Sequence, residues 1–258
     1  MRWFKSSNPL AVLALILANV LPIYLAATSG IKPAELLFLY WAETWVIAFY
    51  TILKIKKAAA PLTDQEKNLM RVQLFASQGE ATRESIIRVF ILQFLVIISV
   101  YGALILGFLV PQVLARGGDY ITRVLTAFPS ADTWPWFLTA VLGFIASHGI
   151  SYTTNFLAKK EFLNTTPARQ SLTLGDRLIA MHLFLMFGSV IGGEFFDLSA
   201  TAQNLYNAVI GIAFIKLIAD LAAHSKEHMI ARAIGLVDNK PAGVLEEVIK
   251  FFTKNRGK

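Results

Sequence analysis

Apolar positions along this chain do not alternate with polar ones. They gather in runs of about twenty residues, each bounded by basic or turn-forming residues. The pattern predicts six apolar helices, over 9–29, 34–54, 88–112, 134–157, 177–197 and 202–223. Apolar runs of this length are the mark of bilayer-spanning segments, and such segments must be helical because lipid offers no partner to open backbone groups. Pro22 is positioned to kink the first, and the short turn Ser29-Gly30-Ile31-Lys32-Pro33 makes the first two an antiparallel hairpin. Residues 1–224 therefore read as one all-α, six-helix transmembrane domain, and 225–258 as a tail. In that tail Val244, Leu245, Val248, Ile249 and Phe252 recur at helical spacing with Lys250 and Lys254 among them, which fits an amphipathic helix lying on the inner leaflet.

The loops add detail. Thr63-Asp64-Gln65-Glu66 is a capping-box pattern and predicts a short helix between the second and third spans. Residues 121–128 suit a short surface helix, and Trp134 and Trp136 an interfacial belt.

Composition agrees with this layout. Hydrophobic residues make up 55% of the 258 and charged residues only 16%, where a soluble domain carries about a quarter. The net charge of +7 invites a nucleic-acid reading, but no nucleic-acid motif is present and the basic residues flank the apolar runs. With both termini on one side, that side collects twenty of the twenty-four lysines and arginines; Lys32, Arg116 and Arg123 face the other and Lys216 lies within a run. The positive-inside rule then places both termini in the cytoplasm, with the lipid bilayer as the main partner. Arg2 and Lys5 ahead of Pro9–Ala27 mimic a signal peptide, but the run is long and has no convincing cleavage site. With no cysteine in the chain, disulfides, thiolate ligands and cysteine nucleophiles are excluded.

Against that apolar background, Glu43, His148, His182, Lys216 and Asp220 stand out, because a charge at bilayer depth costs at least about 2.5–3.5 kcal/mol and calls for a partner or a purpose. Counting about 1.5 Å per residue from the basic residue at each cytoplasmic end, Glu43, His148 and Lys216 lie roughly 15–16 Å deep, with His182, Asp220 and Asn155 roughly 6–9 Å deep. His148, Ser151, Tyr152 and Asn155 form one helical stripe, and Lys216, Asp220 and His224 another. One buried polar cluster in the cytoplasmic half is the expectation: Glu43, His148, Ser151, Asn155, His182, Lys216 and Asp220.

Three readings of that cluster stand side by side. Lys216 pairs with Asp220 as a helical salt bridge, or with Glu43 while Asp220 serves as a metal ligand. A zinc or iron site would use His182, Asp220 and His224, with His148 as a further ligand. Glu43, at mid-bilayer between Tyr40, Trp41 and Trp45, suits a proton-coupled or small-solute carrier, or a structural hydrogen-bonding role in a non-catalytic subunit. Gly188 and Gly192 form a small-xxx-small pattern that suits close packing within the subunit or in a homodimer. No catalytic residue is assigned, and the chain's status as an enzyme is left open.

Four stretches together resemble a family of uncharacterised bacterial and archaeal multi-pass membrane proteins, catalogued only as a domain of unknown function. They are Tyr40-Trp41-Ala42-Glu43 with Lys54; Ser147-His148-Gly149 with Ser151, Tyr152, Asn155 and Glu161; Arg177 with His182; and Lys216, Asp220, His224, Glu227 and His228. The chain departs from the family pattern at Thr44 and Thr51, where asparagine is usual, and at Ala48, where glycine is usual. The resemblance implies an architecture and no activity. A looser similarity, to transmembrane zinc hydrolases of the ceramidase type, rests on Ser147, His148, Asp220, His224 and His228 and fails on span count and aspartate position.

Overall fold

The computed structural model describes residues 8–29, 33–73, 82–116, 132–173 and 213–225, and among these every regular element is a helix. The helices are α1 (Pro9–Ser29), α2 (Pro33–Lys57), α3 (Asp64–Gln73), α4 (Arg83–Arg116) and α5 (Trp134–Ser151). Two short turns and two further helices follow: a π-helical turn (Tyr152–Leu157), a 3-10 turn (Glu161–Leu163), α6 over 167–173 and α7 over 213–225. The first four expected runs appear as α1, α2, α4 and α5 plus its π turn. The surface helix at 121–128, the run 177–197, the first half of 202–223, the tail helix, and with them His182, His228, Gly188 and Gly192, lie outside the described residues.

Two apolar cores hold the helices. Ala18 of α1, Leu36, Leu39 and Tyr40 of α2, Trp136, Ala140 and Phe144 of α5, and Ala213 of α7 form the first. Ile47, Ala48 and Ile55 of α2 pack on Ile86, Phe90, Phe94 and Ile98 of α4 in the second, with Ala168 of α6. Small residues on the facing sides of α1 and α5 leave an apolar groove of about 440 Å³ between them, lined by Ala14, Ala18, Gly143, Ala146 and others and by no charged residue.

At the end of α5 the backbone widens. Thr153 Oγ1 donates to the carbonyls of Gly149 (2.9 Å) and Ile150 (3.1 Å), and Thr154 Oγ1 donates to Ile150 (2.7 Å). Hydroxyls that bond back to helical carbonyls loosen the ladder, and the next closure is a five-residue step, Ala158 N to Thr153 O at 2.9 Å. Asn155 and Phe156 are fully buried as a result. Asn155 Oδ1 accepts from the backbone N–H of Asn8 at 2.8 Å, while Asn8 Oδ1 caps Leu10 N at 2.9 Å. That contact fixes the level at which α1 starts.

The expected capping box is present. Thr63 N donates to Glu66 Oε2 (2.9 Å) and Glu66 N to Thr63 Oγ1 (3.2 Å), and the other Glu66 oxygen accepts from Thr166 Oγ1 (2.8 Å). Ala59 N to Phe162 O and Arg83 Nη2 to Ala58 O, both 2.8 Å, join the same loops. These bonds gather the Lys54–Gln73 segment, the Arg83 end of α4 and the Lys159–Arg169 segment at one end of the bundle, the end where the basic residues of the described region concentrate.

Among the described residues, no helix is long and apolar enough to cross a membrane. α1 is nonetheless 21 residues long without a charged side chain. The helices also expose large apolar side chains: Leu13 and Leu17 on α1, Leu92 and Val96 on α4, Leu138 and Leu142 on α5, Ile215 and Ile218 on α7.

Candidate functional site: a lysine-centred ion cluster

α7 is amphipathic in reverse. Phe214, Ile215 and Ile218 point outward, with Ile215 at 65% exposure, whereas Asp220 and His224, spaced one turn apart, are buried and the Lys216 side chain is only 11% exposed. The inward face of α7 meets α2, where Glu43 is 2% exposed.

Lys216 Nζ sits at the centre of this contact. It donates to Glu43 Oε2 at 2.6 Å, to Asp220 Oδ2 at 2.5 Å and to Asn19 Oδ1 at 2.8 Å. An ammonium has three hydrogens, and these three acceptors use them all. The Tyr40 ring centroid lies 4.8 Å from Nζ and that of Phe144 5.6 Å, so aromatic faces from α2 and α5 close the remaining side. Four helices thus meet at one nitrogen atom: α1 through Asn19, α2 through Glu43 and Tyr40, α5 through Phe144, and α7 itself.

His148 borders the cluster from α5. Its Nε2 is 3.9 Å from Glu43 Oε1, inside ion-pair range and beyond hydrogen-bond range. Glu43 Oε1 is buried and has no hydrogen-bond partner among the described residues. The His148 ring is stacked on Tyr50 of α2, with centroids 6.1 Å apart and planes at 30°. Tyr50 in turn donates its hydroxyl to the Ile145 carbonyl at 3.1 Å.

The structure brings Glu43, His148, Lys216 and Asp220 together. Lys216 pairs with both carboxylates, so the two pairings that sequence left as alternatives coexist. Ser151 and Asn155 are buried on the same side of α5 and its π turn, and Asn155 accepts from the backbone of Asn8 at the start of α1. His224 is buried one turn beyond Asp220. His182 lies outside the described residues, and among those residues no three metal-capable side chains converge. The Asp220 oxygen Oδ2 is engaged by Lys216.

Asn19 is the member that sequence reasoning did not single out. The signal was a lone amide in an otherwise apolar run, and a rise of about 1.5 Å per residue sets it roughly 16 Å past Asn8, level with Glu43. Its Nδ2 donates to Leu15 O at 3.0 Å, which turns Oδ1 toward Lys216. Thr44 and Thr51 are buried, but they donate to their own helix, to Trp41 O (2.6 Å) and Ile47 O (2.8 Å).

A family model described as a family of unknown function (DUF6498) matches residues 1–233, a range that holds every residue of this cluster. A search of curated proteins and one of solved structures each return no match.

Proposed function

This chain belongs to the DUF6498 family of unknown function, and we propose that it is a polytopic protein of a prokaryotic inner membrane whose lysine-centred cluster is the coupling centre of a small-solute or proton-coupled carrier. The observation that carries the reading is the reversed amphipathicity of α7: leucine-like side chains outside, a lysine and an aspartate inside. In water such a helix would be turned the other way, since ion pairs gain most from solvent and apolar faces least. In lipid the arrangement is the expected one, with ionisable groups turned to the bundle interior and paired. The basic residues at one end of the bundle support a cytoplasmic assignment for that end.

Coupling is favoured over a purely structural role by economy. A buried ion pair is often replaced by well-packed apolar residues with no loss of stability, so helix packing alone does not call for charges here. The cluster is also unbalanced: two carboxylates face one ammonium, for a formal charge of −1.

The test needs no knowledge of the solute. Full-length protein reconstituted on a solid-supported membrane and stepped in pH is expected to give a transient charge displacement that is absent in Glu43→Gln, with both proteins equally helical by circular dichroism. A wild type with no transient, or a Glu43→Gln variant with the same transient, would overturn the coupling role and leave the cluster as a clasp joining four helices.

A further inference from the structure

We propose that the cluster binds one proton, carried on Nε2 of His148 and directed at Oε1 of Glu43, and that Tyr50 and Gly149 are the positioning residues that hold the imidazole there. The role of this proton in coupling rests on the carrier reading; its place rests on the geometry alone.

Charge balance comes first. Glu43 and Asp220 contribute −2 and Lys216 +1, and an unmatched charge in a low-dielectric interior is costly. Lys216 offers nothing more, because its three hydrogens are spent on Glu43 Oε2, Asp220 Oδ2 and Asn19 Oδ1. The unmatched oxygen is therefore Glu43 Oε1, which is buried and lacks a hydrogen-bond donor among the described residues. The titratable nitrogen facing it is Nε2 of His148, at 3.9 Å. A shift of about 1 Å brings the two within hydrogen-bond range.

Other groups surround this pair. From α1 comes only the neutral amide of Asn19, already held by Lys216. From α2 come Tyr40, whose ring face is turned to Lys216, and Tyr50. Tyr152 follows His148 after one turn and lies 6.0 Å from Tyr50, ring to ring. From α7 come Lys216, Asp220 and, one turn beyond, His224. Of these, only an N–H at His148 points a donor at Oε1. The step is a simple uptake: one proton arrives from solvent, an N–H bond forms at Nε2, no covalent bond breaks, and the formal charge moves from −1 to 0.

Gly149 makes room for the residue that holds the imidazole. A Cβ at position 149 would stand 2.8 Å from the Tyr50 hydroxyl oxygen but 3.6 Å from Tyr50 Cζ. The hydroxyl, bonded to Ile145 O, occupies the space a side chain would take, and the ring behind it lies along His148. Only the oxygen is too close, so removing it removes the conflict.

This predicts a pattern that a general packing defect does not produce. Histidine-labelled (15N) full-length protein in lipid nanodiscs carries four histidines, and His148→Gln identifies the signal of interest. We expect His148 as a doubly protonated imidazole in the wild type and as a singly protonated one in Glu43→Gln. Gly149→Ala is expected to shift or broaden the His148 signal, and Gly149→Ala/Tyr50→Phe to restore it. A singly protonated His148 throughout about pH 5–8 in the wild type, an unchanged signal in Glu43→Gln, or no rescue by Tyr50→Phe would overturn the proposal. If the imidazole behaves as expected but no charge displacement follows a pH step, the proton site stands and the carrier reading falls. With the outcomes reversed, a coupling centre remains but its ion is not held on His148.

Discussion

Removing Lys216 is predicted to harm the protein more than removing the whole charged set. In Lys216→Met the methionine fills much the same volume, but two buried carboxylates lose their cation and three acceptors lose a donor (Glu43 Oε2 at 2.6 Å, Asp220 Oδ2 at 2.5 Å, Asn19 Oδ1 at 2.8 Å). Breaking a buried pair from one side costs about 3–5 kcal/mol, because the charge left behind is neither solvated nor matched. At about 2–4 °C per kcal/mol for a chain of this size, the midpoint of thermal unfolding falls by on the order of 10 °C. The triple variant Glu43→Gln/Lys216→Met/Asp220→Asn removes the charges while keeping shape, and is expected to recover most of the loss, to within about 1–2 kcal/mol of wild type. Thermal denaturation in one detergent, followed by circular dichroism, compares the two. The reasoning fails if Lys216→Met melts with the wild type, or if the triple variant is as unstable as the single.

Smaller perturbations probe the rest of the framework. Asn19→Leu withdraws one of three acceptors from a buried ammonium and should cost about 1.5–3 kcal/mol in the same melt, the range for a hydrogen bond to a charged group. Asn155→Ala frees the backbone N–H of Asn8, so hydrogen exchange at the start of α1 should quicken with little change near Glu43. Thr63→Ala removes the cap of α3, a loss of about 1 kcal/mol confined to that helix. Leu142→Lys, on the outward side of α5, should destabilise the protein by about 2.5–3.5 kcal/mol in bilayers, where the same change on a water-facing surface would be close to silent.

Within the described residues, the long helices could be read from the spacing of apolar residues, because an uninterrupted apolar run announces a helix by its length. α1, α2, α4 and α5 fall where the apolar runs fall, and Thr63–Glu66 is a cap whose chemistry is local. The meeting of Glu43, His148 and Lys216 was also legible, since equal depth from a basic end is a coordinate that sequence supplies. Rotation about each helix axis was not. It decides that Asn19 faces Lys216, that Thr44 bonds to its own helix, and that Lys216 reaches both carboxylates at once. The π turn was hidden for a similar reason: it follows three hydroxyl bonds to neighbouring carbonyls, and the bond from Asn8 to Asn155 within it joins residues far apart in sequence. Gly149 stands in the sequence only as part of the Ser147-His148-Gly149 stretch, and the Tyr50 hydroxyl against it comes from another helix.

The central claim is that apolar side chains surround an ionic interior because lipid surrounds the protein, and Ile215 tests it next door to Lys216. The chain has no cysteine, so Ile215→Cys gives a single site for a nitroxide label. Electron paramagnetic resonance in liposomes then compares collisions with dissolved oxygen, which concentrates in lipid, against those with a water-soluble nickel chelate. The account predicts frequent oxygen collisions and few with nickel at this position; a label readily reached by nickel would place the outer face of α7 in water and contradict it.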